Sequence, residues 1–152
     1  MSATRRQFIK NILASSVSLI ALGFSKVSLG QWLLDEFSPS NLDDALTKVF
    51  PVETLHHTDK IDLKLPKTAE NGSVVPITIT SSLPNITRVY ILSEKNPVPL
   101  IAKFSVDPRL EPYIGARFKM QKSCDVIVVV KSDDSYYQTR QFVKVTLGGC
   151  GG

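Results

Sequence analysis

Polar and apolar residues alternate strictly through Lys60-Ile61-Asp62-Leu63-Lys64-Leu65, the period of a strand with one buried face. Asn71-Gly72 supplies a turn, and Val74 to Ser82 is rich in β-branched residues, which predicts a second strand. Arg88 to Leu92 predicts a third, and Val98 to Val106 a fourth, with Pro97 and Pro99 marking an edge position or the start of the strand. Gly115 to Gln121 predicts a fifth. Cys124 to Lys131 predicts a sixth, with Val126, Val128 and Val130 on one face and further apolar residues on the other. That double-sided pattern fits burial within a sandwich, or one face covered by a partner. Asp133-Asp134-Ser135 makes a turn, and Tyr137, Thr139, Gln141, Val143, Val145 and Leu147 share one face of a seventh strand. Ahead of the strands, Leu42, Ala45, Leu46, Val49 and Phe50 recur at helical spacing. Ser40 is placed to cap this helix, Asp43 and Asp44 favour its positive end, and Pro51 stops it. The helix is expected to cover an edge or end of a sheet, or a partner's surface.

Seven short strands with regular turn signals predict a mainly β fold: an immunoglobulin-like antiparallel β-sandwich with a short N-terminal helix and a flexible C-terminal arm. Helices do not alternate with strands, which argues against a doubly wound α/β fold. The chain of 152 residues divides into a leader, residues 1–30, a sandwich domain, residues 31–147, and the arm, residues 148–152.

Charge changes the picture mainly by where it sits. The chain carries 18 basic and 14 acidic residues. Arg5, Arg6, Lys10 and Lys26 lie in the first thirty residues, which hold no acid, so the remainder has 14 of each sign. The net positive charge belongs to the leader and is no argument for nucleic-acid binding. Thr4-Arg5-Arg6-Gln7-Phe8-Ile9-Lys10 reads as a twin-arginine export signal, followed by an apolar run from Ile12 to Phe24 that is short for a membrane span. Ser28 and Gly30 permit cleavage before Gln31. The expected destination is the periplasm of a bacterial cell, with no membrane anchor after cleavage; the alternative is an uncleaved anchor helix.

The candidate chemistry lies at the other end. The last predicted strand runs into Gly148-Gly149-Cys150-Gly151-Gly152, which holds four of the eight glycines. Glycine contributes no packing and leaves the backbone free, so no side chain obstructs approach to the sulfur. Five extended residues reach about 15 Å. A catalytic thiol needs a base and an oxyanion site held beside it, and His56 and His57, the two histidines, precede the first strand. The residues therefore point to a carrier: Cys150 holds a group covalently while other proteins do the chemistry, so no catalytic residue is assigned. Two readings compete with it. Cys150 could make a disulfide, with Cys124 or between two copies, as a structural or redox module, or the arm could carry a different sulfur substrate.

The ending Val143-Lys144-Val145-Thr146-Leu147-Gly148-Gly149-Cys150-Gly151-Gly152 resembles the C-terminus of the SoxY family, sulfur carriers of the bacterial Sox thiosulfate-oxidising system. Glu70-Asn71-Gly72-Ser73-Val74-Val75-Pro76-Ile77, the stretch from Asn96-Pro97 through Pro99-Leu100-Ile101-Ala102 to Phe104, and Arg117-Phe118-Lys119-Met120 are similar to internal segments of the same family. The resemblance implies that Cys150 receives thiosulfate as an S-thiosulfonate at a haem enzyme. A hydrolase then releases sulfate, and the sulfane sulfur is oxidised further, at a sulfane dehydrogenase, or passed on. It implies a heterodimer with SoxZ, Gly148 and Gly149 as hinge, Gly151 and Gly152 as unobstructed tip, and no cofactor beyond the sulfur adducts.

Other residues carry blander readings. Cys124 shares the register of Val126, Val128 and Val130 and reads as a buried small hydrophobe, with a redox partner for Cys150 as the alternative. Adjacent His56 and His57 point to opposite faces of an extended chain, which argues against a shared metal. Asn71-Gly72-Ser73 and Asn85-Ile86-Thr87 match glycosylation sequons, which a bacterial export signal makes irrelevant.

Overall fold

The computed structural model describes residues 35–38, 40–50 and 54–146. Among the described residues the chain forms a β-sandwich with helix α1 (Leu42–Val49) and nine strands: β1 (Leu55–His57), β2 (Ile61–Lys64), β3 (Thr68–Ala69), β4 (Val75–Ser81), β5 (Ile86–Ser93), β6 (Leu100–Ser105), β7 (Tyr113–Phe118), β8 (Cys124–Ser132) and β9 (Ser135–Val145). The larger sheet has the order β1-β9-β8-β5-β6, with β3 also on β9; the smaller is β2-β4-β7. The fold is the mainly β sandwich expected.

The seven anticipated strands are all present, and their alternation is the cause of the main core. In β4, Val75, Ile77 and Ile79 are buried while Pro76 is exposed. They face Val89 and Ile91 of β5, Val126, Val128 and Val130 of β8, and Val143 of β9 across the two sheets. Cys124 joins this cluster in the register of the valines, at 1% exposure, with its Sγ 3.3 Å from Ser93 Oγ. The fifth strand starts two residues before the expected Gly115 and ends at Phe118, because residues 119–121 are held from outside the sheet instead, as described below.

Two additional strands alter the architecture. β1 and β3 pair with β9 in parallel, Leu55 to His57 against Tyr136 to Gln138 and Thr68-Ala69 against Lys144-Val145, so the sandwich is not wholly antiparallel. Between them the chain crosses to the smaller sheet as β2, antiparallel to β4. One stretch of 15 residues, Leu55 to Ala69, thus alternates between the sheets and seals the outer edge of β9 at both ends.

The helix differs from expectation at both its cap and its destination. Asn41 is the N-cap, its Oδ1 accepting the Asp44 N–H at 2.8 Å, with Asp43 and Asp44 in the first turn as anticipated. Ser40 is not the cap: its N–H donates to the Pro97 carbonyl at 3.1 Å. Pro51 lies outside the described residues. The helix covers a face of the larger sheet rather than an edge. Ala45 and Phe50 are buried, and Phe50, with Leu42, Leu46 and Val49, covers the outer face of the larger sheet over Tyr90, Leu92, Leu100, Ile127, Val129 and Tyr136. The second apolar face of β8 is therefore buried by the chain's own helix. Phe50 stands edge-on to Tyr90 and Tyr136 at 4.9 and 5.1 Å, a geometry that adds to the area burial. Lys103 pairs with Glu36 at 2.8 Å over the Tyr90 ring, tying the residues before the helix to β6.

The anticipated turn after β8 is a tight one. Asp133 takes φ 51°, and Asn85 in the facing turn takes φ 46°; both are residue types that tolerate the left-handed region. Asn85 Nδ2 donates to Asp133 Oδ1 at 2.9 Å, which joins the two turns.

Candidate functional site

Cys150 and the flanking Gly148, Gly149, Gly151 and Gly152 lie outside the described residues, as do Arg5 and Arg6 of the expected export signal. What the structure defines is the strand that leads to the arm and the ground it stands on. β9 is the longest of the described strands. It pairs with all of β8, Ser135 with Ser132 through Val143 with Cys124.

Its last residues are fastened from three sides. On one, the Lys144 N–H donates to the Lys67 carbonyl and the Thr146 N–H to the Ala69 carbonyl, both at 3.0 Å, and Gln141 Nε2 donates to the Leu65 carbonyl. On another, Ser123 Oγ accepts the Val145 N–H at 2.9 Å and donates to the Val145 carbonyl at 3.3 Å. On the third, Gly72 lies so close that a Cβ there would stand 2.8 Å from Val145 Cγ1 and 2.4 Å from the Met120 carbonyl oxygen. The Met120 N–H donates to the Gly72 carbonyl at 2.7 Å. Asn71 shapes the turn, its Oδ1 accepting the Ser73 N–H and its carbonyl the Val74 N–H.

Asn96 completes the assembly. It is 9% exposed, its Nδ2 donates to the Lys119 carbonyl at 2.7 Å, and its Oδ1 accepts the Gln121 N–H at 3.1 Å. One side chain thereby satisfies two backbone groups of the β7–β8 connection and fixes that connection against the 71–73 turn. The segments singled out in the sequence, at Glu70 to Ile77, Asn96 to Phe104, Arg117 to Met120 and the C-terminus, have their beginnings or ends at this one end of the sandwich. The sequence placed Gly72 in a turn and both Gly72 and Asn96 in segments of resemblance without giving either a contact, and it did not point to Ser123 or β3. The available signal was that Asn71-Gly72 and Asn96-Pro97 lie within the segments of resemblance.

A groove of about 760 Å³ opens here, lined by Glu70, Asn71, Ser73, Lys119, Gln121 and Thr146 with Gly72, Met120 and Val145 beneath them. Residues 67–74, 119–123 and 143–146 carry four exposed lysines, Lys67, Lys119, Lys122 and Lys144, and one acid, Glu70. Of these charged residues only Lys119 and Glu70 line the groove, and Glu94 and Asp125 adjoin the same segments.

The two histidines occupy β1, at the opposite end of β9; the His56 ring lies 5.9 Å from that of Tyr137. Among the described residues no group of three or more His, Cys, Asp and Glu comes together. Cys124, at 1% exposure inside the inter-sheet core, offers no surface for disulfide exchange.

The profile of the family "sulfur oxidation protein SoxY" matches residues 46–150. Among solved structures, the sulfur carrier protein SoxY from Chlorobium limicola f. thiosulfatophilum is 36% identical, with a TM-score of 0.64 over 70% of this chain and 97% of that one. A superoxide reductase (neelaredoxin) from Ignicoccus hospitalis matches over 70% of this chain and 94% of its own, at 16% identity and a TM-score of 0.50, a likeness of fold alone. No curated protein matches the chain. With a family match covering more than half its residues and a solved relative above 30% identity, this chain belongs to the SoxY family of sulfur oxidation proteins.

Proposed function

We propose that this protein is a covalent carrier of sulfur intermediates in periplasmic thiosulfate oxidation, exported by the twin-arginine route, with Cys150 as the attachment point. The observation that carries the reading is that the family match runs through residue 150, so it includes Cys150 and the Gly148-Gly149 lead that joins it to a strand fastened on three sides. A cargo thiol on a glycine tether needs a fixed base, and the backbone of Lys144 and Thr146 is held by Lys67 and Ala69.

In the first step the Cys150 thiolate and thiosulfate join through a new S–S bond to give Cys–S–S–SO₃⁻, and the two electrons released pass to a haem enzyme. Water then attacks the terminal sulfur of the adduct: sulfate leaves with two protons, and Cys–S–S⁻ remains. The sulfane sulfur is then either oxidised on Cys150 to Cys–S–SO₃⁻, three waters supplying the oxygens and six electrons passing with six protons to a sulfane dehydrogenase and its acceptor, or passed on to another sulfur acceptor. The carrier itself supplies no base or oxyanion site and is not the catalyst. A SoxZ-like second sandwich protein is the expected partner in a heterodimer.

Cys150→Ser is expected to leave folding and export unchanged and to abolish thiosulfate-dependent respiration. Intact-mass measurement of the periplasmic protein from thiosulfate-grown cells is expected to show thiosulfonate and persulfide adducts on the C-terminal peptide alone. Respiration sustained by the Cys150→Ser chain would refute the carrier reading.

A further inference from the structure

Asn71-Gly72 is the one Asn-Gly pair in the chain, and the fold requires both of its residues. A Cβ on Gly72 would run into the Met120 carbonyl. Asn71 builds the turn with its Oδ1 and its backbone carbonyl. The same pair has a chemistry of its own. A bond from the Gly72 nitrogen to Asn71 Cγ closes a five-membered ring, and glycine sets no side chain beside the attacking nitrogen. Asn71 is exposed, so water and hydroxide reach it. Its Oδ1 accepts the Ser73 N–H at 2.9 Å, which draws electrons from Cγ. Among the described residues no acceptor holds the Gly72 N–H, and none holds the Asn71 NH₂. The other described asparagines lack this combination. Leu42 and the buried, β-branched Ile86 follow Asn41 and Asn85, whose side chains are engaged by Asp44 and Asp133. Asn96 precedes Pro97, whose nitrogen has no proton to lose.

We propose that Asn71 is a site of spontaneous modification in the folded chain, deamidating through a succinimide to isoaspartate or aspartate, and that the change unfastens the root of β9. Base removes the Gly72 amide proton and the nitrogen bonds to Asn71 Cγ. The Cγ–NH₂ bond breaks, and the nitrogen leaves with a proton as ammonia. Water then opens the ring at one of its two carbonyls. Opening at Cγ gives aspartate. Opening at the backbone carbonyl gives isoaspartate, whose main chain runs through the former side chain and is one methylene longer. That extra length enters a turn with little slack, where the Gly72 carbonyl accepts the Met120 N–H at 2.7 Å and Gly72 lies against Val145. In isoaspartate the carbonyl that accepted the Val74 N–H becomes a free carboxylate and Oδ1 becomes part of the main chain, so both turn bonds lose their geometry. Either product sets a second acid beside Glu70 in a groove lined by one lysine, Lys119. The inference is independent of the carrier reading.

The test holds the full folded chain at mildly acid and mildly alkaline pH and maps the amide-to-acid mass change by fragmenting its peptides. Conversion is expected at Asn71 well ahead of Asn41 and Asn85, and faster at the alkaline pH. It is expected to be absent at this position in Asn71→Gln, whose closure would need a six-membered ring. The converted chain carries one more negative charge and separates by anion exchange. In that fraction the Met120, Val145 and Thr146 amides are expected to exchange with solvent about 5- to 30-fold faster. Equal conversion at the three asparagines, or an intact Asn71 after the urea-unfolded chain has converted, overturns the site. A converted fraction whose Met120 amide exchanges like that of the untreated chain overturns the unfastening.

Discussion

Asn96 makes a sharp prediction because its two hydrogen bonds have opposite polarity. Its NH₂ donates to the Lys119 carbonyl at 2.7 Å and its oxygen accepts the Gln121 N–H at 3.1 Å. Asn96→Ala removes both partners and leaves a carbonyl and an N–H unmatched beside a side chain 9% exposed. A buried group left unsatisfied costs about 1–3 kcal/mol. Lys119 and Gln121 are themselves exposed and water reaches part of the gap, so the total is about 2–3 kcal/mol. At about 4 °C per kcal/mol for a domain of this size, Tm falls by about 8–12 °C. Asn96→Asp is the more telling variant. It keeps the acceptor for Gln121 but sets a carboxylate oxygen against the Lys119 carbonyl. Only the protonated acid restores the second bond, so the folded state raises the pKa of this carboxyl above the unfolded value of about 3.9. Stability from the restored bond is present below that value and is lost as pH rises through the folded pKa. The penalty relative to the unchanged chain is therefore largest at pH 7 and shrinks on acidification towards pH 4. Urea unfolding followed by circular dichroism at several pH values measures it. A penalty for Asn96→Asp that is flat with pH, or an Asn96→Ala penalty under about 0.5 kcal/mol, refutes the role assigned to this side chain.

Gly72→Ala is expected to destabilise by about 1–3 kcal/mol, since its Cβ would meet the Met120 carbonyl and Val145 Cγ1, and faster hydrogen exchange at Val145 and Thr146 is the local readout. Phe50→Ala removes both edge-on aromatic contacts and opens the cover over Tyr90 and Tyr136; chemical unfolding is expected to show a loss of about 3–5 kcal/mol. In the native chain a thiol reagent is expected to modify one cysteine quickly, Cys150, and to reach Cys124 only on unfolding; fast modification of both refutes the buried placement of Cys124.

The strands of the core were legible because their period is two and one face is buried. Val75-Ile77-Ile79 and Val126-Val128-Val130 announce both facts. β1 and β3 were not legible: three and two residues carry no periodicity, and they are strands only because β9 has an edge to pair with. The amphipathic pattern of α1 reported that one face is covered, and Ile127 and Val129 reported that β8 has a second covered face. Nothing local states that these two surfaces cover each other. The cap moved from Ser40 to Asn41 because both residue types can cap, and the Ser40 N–H is taken by Pro97. The cysteine among glycines is visible from composition without a fold, and it lies outside the described residues. The groove was not, because its lining comes from three segments that only the sheet pairing brings together, and because Asn96 serves backbone groups 23 and 25 residues away.

The double edge of β9 has a mechanical side. On the proposed carrier reading, an arm drawn into another protein's pocket pulls on its own root. Traction on Thr146 along the strand axis is borne by the β8 ladder on one side and the short β1 and β3 ladders on the other. In that direction the hydrogen bonds are loaded together, in shear, rather than opened one after another as a zipper. The sandwich therefore behaves as an anchor post: tension exerted at the tip is shared by many bonds at once and leaves the base unmoved.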